Sequence, residues 1–95
     1  MDYEKQLYSI INNVNKNFSD TKILSEYLKS IQNYYIKEYD YNKKTFEQDI
    51  VGIANDLLNH PKYNKLSNVL SLEDFELVIS ITANEIESFC LTYND

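Results

Sequence analysis

His60, Cys90 and the aspartates Asp49 and Asp56 come nearest to catalytic or metal-binding types in this 95-residue sequence. Each falls short of the constellation its chemistry requires. A nucleophile needs a base within reach, and no serine or cysteine stands at a spacing that pairs it with His60. This histidine precedes Pro61 at what reads as a helix end, where an imidazole meets the terminal carbonyls. Cys90 lies at the edge of an apolar helical stripe, the position of a small buried hydrophobe. Asp49 and Asp56 are seven residues apart and share a helix face. A carboxylate-bridged metal site in a bundle would also draw Glu-x-x-His elements from other helices, and the sequence has none. Nor does it contain a glycine-rich phosphate loop, an HExxH or a calcium loop. The expectation is a chain with no catalytic residues, no metal and no cofactor, hence not an enzyme.

Recognition chemistry is better represented. The stretch Asn33-Tyr34-Tyr35-Ile36-Lys37-Glu38-Tyr39-Asp40-Tyr41 places four tyrosines, two acids and an isoleucine at one helix end. Tyrosine offers rigid contact area with a hydroxyl, and interleaved carboxylates attract a basic partner. Further along, Glu73, Glu76, Ser80, Asn84 and Glu87 fall on one helix face as an acidic ridge, flanked by Leu77 and continued by Leu91. The candidate partner-binding residues are therefore Ile36, Glu38, Tyr39, Asp40, Tyr41, Glu73, Glu76 and Glu87. Two plainer roles remain open: the rings also suit closure of a bundle end, and the ridge also suits a solvated face.

Charge narrows the partner class. Fifteen acids against nine basic residues give a net charge of −6, and all nine basic residues are lysines. Without arginine there is no planar fork for phosphate, and no basic stripe for a nucleic acid. No segment approaches the roughly 20 apolar residues of a membrane span, and MDYEKQLYS lacks the order of a signal peptide. A cytoplasmic protein is expected, with a basic protein partner, no direct nucleic acid and no membrane.

The elements that must position these residues are helices. One glycine and one proline cannot supply the turns of an all-β fold. Tyr3, Leu7, Ile10, Ile11, Val14 and Phe18 recur in steps of three and four, predicting a helix from about Asp2 to Phe18. Ser19-Asp20 is a capping pair for a second helix, Thr21 to about Tyr39, whose stripe is Leu24, Tyr27, Leu28, Ile31, Tyr34 and Tyr35. Ile36 falls off that stripe. Thr45 with Gln48 reads as a capping box for a third helix, with Phe46, Ile50, Ile53 and Leu57 inward and Val51 and Leu58 on another face. Gly52 within that helix predicts a close helix crossing. Past Asn59-His60-Pro61, a short helical segment holds Tyr63, Leu66, Val69 and Leu70. Ser71 and Asp74 then open the last helix, Leu72 to about Thr92, with Phe75, Val78, Ile79, Thr82, Ile86, Phe89 and Tyr93 inward. One domain over residues 1–95 is expected: an all-α, antiparallel four-helix bundle with a short extra helix between helices 3 and 4. Surface scaling gives such a chain roughly 5,700 Å² of folded surface.

In length, helical content, charge and acid–tyrosine patch, the sequence resembles the small acidic immunity proteins of bacteria. These neutralise nuclease toxins of the bacteriocin or contact-dependent inhibition type. The Tyr34-Tyr35 doublet is similar to a tyrosine pair in immunity proteins of DNase colicins, although theirs sits on a short helix before a proline and this one lies within a long helix. The resemblance implies a four-helix inhibitor that covers a nuclease's basic surface with carboxylates and anchors itself with tyrosines. Other readings stay open. They are a phage-encoded inhibitor of a host defence nuclease, a helical homodimerisation or adaptor module using Ile36, Val51, Leu58 and Leu77, and a regulator that binds a small ligand in the bundle core.

Overall fold

The computed structural model describes residues 3–93, and the side chains of residues 4–91 among them. Four α-helices occupy them, α1 (Tyr3–Asn17), α2 (Ile23–Glu38), α3 (Phe46–Leu58) and α4 (Leu72–Tyr93), with a 3-10 turn at Asn64–Asn68 and no strand. Asp2, Tyr3 and Tyr93 were expected at the helix start and on the core stripes; Asp2 and the side chains of Tyr3 and Tyr93 lie outside what is described.

The stripes form one core, in which Ile10, Val14, Tyr27, Ile31, Tyr35, Ile50, Leu66, Val78 and Ile86 are fully enclosed. Burying each such side chain is worth about 1.5–3 kcal/mol, which makes this core the main source of stability. Side-chain contacts seat the helices on one another. Tyr27 Oη donates to the Ala54 carbonyl at 2.8 Å, while the Tyr35 ring meets Phe46 edge-on at 5.2 Å. These contacts pack α2 against α3 along its length. Phe46 and Glu47 share a depression with Ala83 and Glu87, and Val51 shares another with Leu72 and Phe75, which seats α3 against α4. Gln32 Nε2 donates to Glu85, and Leu28 faces the same fissure as Ile81, which sets α2 beside α4.

Both ends of α1 lie toward the ends at which α2 and α4 begin. Gln6 Nε2 donates to the Glu73 carbonyl at 3.3 Å, and five residues join Asn17 to the start of α2. The first helix therefore packs against α2 and α4, where Leu7, Ile11 and Val14 share a fissure with Leu24, Leu28 and Ile81. The molecule is flattened, 41 × 32 × 20 Å, and its accessible surface of 6651 Å² exceeds the compact expectation.

Several local expectations are corrected. Tyr34 was placed in the core but is 50% exposed. That side of α2 is covered at Tyr27 and Ser30 by Tyr63, whose ring lies 5.5 Å from Tyr27 and whose hydroxyl bonds Ser30 at 2.9 Å. Tyr34 lies one to two turns beyond this cover. Leu77, expected beside the acidic ridge, is buried. It lies one turn after Glu73, which meets α1, and one turn before Ile81, which faces Leu7 and Ile11 across the fissure. Phe89, expected inward, is exposed, because Ile86 and Cys90 take the core positions at that level.

Gly52 has no close helix crossing: a Cβ there would meet nothing within 4 Å. Neighbours Ile50, Ile53 and Ala54 point inward and leave the glycine on the outer face. Thr45 makes no side-chain cap. The turn before α3 is organised by Asn42 instead, whose Oδ1 accepts from Lys44 N at 3.0 Å and whose carbonyl accepts from Thr45 N at 3.1 Å. Asp20 Oδ1 accepts from Lys22 N at 2.9 Å, at the entry to α2. The α4 cap is reciprocal, with Asp74 N donating to Ser71 Oγ at 3.1 Å and Ser71 N to Asp74 Oδ2 at 3.3 Å.

Candidate functional site

The tyrosine end is built from the way α2 stops. Tyr39 N–H donates to the Tyr35 carbonyl at 2.9 Å, but Tyr39 itself is extended, with φ −124° and ψ 143°. Its ring folds back onto Tyr35, 5.2 Å away with planes 2° apart, and also lies 6.3 Å from Tyr34. Phe46 makes T-shaped contacts with both Tyr35 and Tyr41, each pair at 5.2 Å. Five rings thus run from surface to core and back. Tyr35 is the inner member; Tyr39 is 39% exposed, and Ile36 beside it 41%.

Electrostatics at this end follow from burial and one hydrogen bond. Tyr35 Oη is buried and completes no hydrogen bond. Burial pushes its pKa up, with the adjacent Asn42 backbone pulling the other way. Tyr41 Oη donates to Glu87 Oε2 at 2.9 Å, and that bond to a carboxylate raises the phenol's pKa. Glu38 and Asp40 are exposed and make no hydrogen bond or ion pair among the described residues.

The candidate residues do not form one cluster. Ile36, Glu38, Tyr39, Asp40, Tyr41 and Glu87 share the tyrosine end. Glu73 is fourteen residues before Glu87 on the same helix, about 21 Å away, beside α1. Glu76 faces α3 with Val51 and Phe75. What the sequence did not disclose is Glu47, which lines the same α3–α4 depressions as Glu76 and Glu87. Its position at the start of α3 reads as a helix-dipole acid, and only the register between two helices reveals it as a groove residue.

The residues with catalytic side chains remain apart. His60 Nδ1 accepts from Lys62 N at 3.1 Å, a local turn bond after α3, and its ring lies 6.2 Å from Tyr63. Lys62 itself pairs with Glu26 at 2.8 Å, which raises its pKa. Cys90 lies toward the opposite end of α4, where burial pushes its thiol pKa up and disfavours the thiolate. Asp49 is half-buried and Asp56 exposed. Among the described residues no group of three or more His, Cys, Asp or Glu could hold a metal ion, and no helix is long and apolar enough to cross a membrane. Of the four residues considered for self-association, Ile36 is exposed, Leu77 is buried, and Val51 and Leu58 are half-buried against the core. No family model, curated protein or solved structure matches the chain.

Proposed function

We propose that this chain is a protein inhibitor of the immunity type, an antiparallel helical bundle that binds and neutralises a basic toxin in the cytoplasm. The toxin is a nuclease. The observation that carries this is the anchored ring stack at the end of α2. Exposed Tyr39 lies flat on buried Tyr35, flanked by Ile36 and by the unpaired carboxylates Glu38 and Asp40.

Rings held by stacking lose little freedom on binding, so their contact area converts efficiently into affinity. Carboxylates around them match the positive groove that a nuclease must expose to phosphate backbones. A net charge of −6 adds long-range steering. Occupying that groove, or a basic patch beside it, excludes the nucleic-acid substrate by bulk and by charge.

The test is calorimetry against a basic nuclease domain recovered in equal amount by pull-down from the source lysate. Tyr39→Ala and Asp40→Lys each weaken binding at least tenfold while the helical circular-dichroism signal is kept. Affinities within twofold of wild type for both variants overturn the assignment of this surface.

A further inference from the structure

Away from the ring stack, α3 and α4 enclose an acidic groove. Two depressions, of about 330 and 430 Å³, meet at Glu47, Ile79 and Ser80. Phe46, Val51, Phe75, Ile79 and Ala83 make an apolar floor. Glu47, Glu76 and Glu87 provide three carboxylates, and no lysine lines either depression.

Glu47 shares the adjoining depression with Lys43 and Lys44, whereas no lysine lines the groove beside Glu76 and Glu87. Glu47 and Glu76 make no hydrogen bond or ion pair among the described residues, and Glu87 spends one oxygen on Tyr41. An apolar trough bordered by unpaired carboxylates is complementary to one kind of surface, apolar along its centre and basic at its edges. Leu72, 75% exposed at one end of the groove, lengthens the apolar track.

We infer that the α3–α4 groove seats a basic amphipathic helix of the partner protein. Its apolar residues lie on the floor, and its Lys or Arg side chains reach Glu47, Glu76 and Glu87. Glu76 and Glu87 are eleven residues apart, about 16 Å, or three turns of a docked helix. An extended segment fits less well. The described residues offer no sheet edge, so a strand would bury unpaired backbone groups, whereas a helix satisfies its own. On the outer flank a third depression, lined also by Lys43, Lys44 and Gln48, continues past Glu47 and Val51 to Gly52, where an added Cβ would meet nothing within 4 Å. The assignment rests on the basic-partner function proposed above and extends its contact surface from the tyrosine end, through Tyr41 and Glu87, onto α3 and α4.

The probe is a synthetic 14-residue Lys/Leu amphipathic helix, with a Glu/Leu helix of equal length as control, titrated into the isotopically labelled full chain. The basic helix shifts the backbone amides of Val51, Ile79 and Asn84, and the acidic helix shifts none. Affinity falls at least tenfold in the Glu47→Lys/Glu76→Lys double variant and in Ser80→Trp, which fills the groove without changing its charge. It stays within twofold in Glu4→Lys, a charge reversal at an exposed acid of α1 outside both surfaces. Circular dichroism verifies that each variant is folded. Shifts concentrated at Ile36–Tyr41, no binding at all, or unchanged affinity in the folded groove variants overturns the proposal. The nuclease domain separates this failure from failure of the proposed function. Loss of toxin binding in Asp40→Lys with none in the groove variants sinks the groove alone. Binding of the basic helix in the groove, with no nuclease recognised, sinks the function alone.

Discussion

The tyrosine end and the α3–α4 groove are both acidic and partly apolar, yet they are held in opposite ways. At the tyrosine end the recognition residues are themselves structural: Tyr39 stacks on Tyr35, Tyr35 meets Phe46, and Tyr41 ties the loop to Glu87 on α4. In the groove, Glu47 and Glu76 hold nothing, and the floor beneath them is made by packed side chains such as Phe46, Ile79 and Ala83. Rings that bridge surface and core arrive preorganised, but changing them disturbs the fold. Carboxylates on a packed floor can be changed without such cost, and their contribution to binding reads out cleanly.

The sharpest way to expose this difference is to remove the inner ring. Tyr35→Ala leaves a cavity where a fully enclosed side chain stood, and the expected loss of stability in urea denaturation is about 3–4 kcal/mol. Tyr39→Ala removes an exposed ring and one stacked pair, for about 1 kcal/mol. Glu47→Gln and Glu76→Gln stay within about 0.5 kcal/mol of wild type. Equal losses for Tyr35→Ala and Tyr39→Ala would mean that the stack does not anchor the surface to the core.

How far the sequence disclosed this arrangement depends on the range of the signal. Within one helix, steps of three and four were sufficient: Tyr27, Ile31 and Tyr35 are inward and Ile36 is outward, as their phase requires. The Ser71–Asp74 cap was legible too, since both partners lie within one turn. Tyr34, Leu77 and Phe89 were misplaced because their exposure is set by where a neighbouring element begins, ends or crosses. Periodicity measures phase and is blind to a cover that stops one turn short. For the same reason the groove was invisible. Glu47 and Glu76 belong to different helices, and only the offset between those helices makes them neighbours. The seat of α1 is likewise a tertiary fact, fixed by contacts such as Gln6 with the Glu73 carbonyl.

A milder way to press on the ring side is alkaline pH. Burial raises the pKa of Tyr35, and of Tyr27 deeper in the core. In the unfolded chain these phenols ionise from about pH 10, while the folded chain still holds their protons. The unfolded state then binds fewer protons, so stability present below about pH 10 is lost as pH rises toward the folded values. The urea midpoint is expected to be flat from pH 7 to 9 and to fall above pH 10, with a shallower fall in Tyr27→Phe. An equal fall in that variant would place the alkaline sensitivity elsewhere.

Gly52 gives the smallest effect and tests the groove side alone. A glycine inside an exposed helix turn costs about 1 kcal/mol relative to alanine. Here the added methyl would meet no atom within 4 Å, so no packing penalty opposes the gain. Gly52→Ala should therefore stabilise the chain by about 1 kcal/mol, raising the thermal midpoint by roughly 4–8 °C for a domain of this size. The fold itself gives no reason for the glycine, which leaves room for one outside the chain. A partner helix resting close to the α3 backbone would meet the new methyl, so a stabilised Gly52→Ala should bind the Lys/Leu helix more weakly than wild type. Stabilisation with undiminished affinity would place the docked helix nearer α4, along Ser80 and Asn84, and leave Gly52 outside the contact.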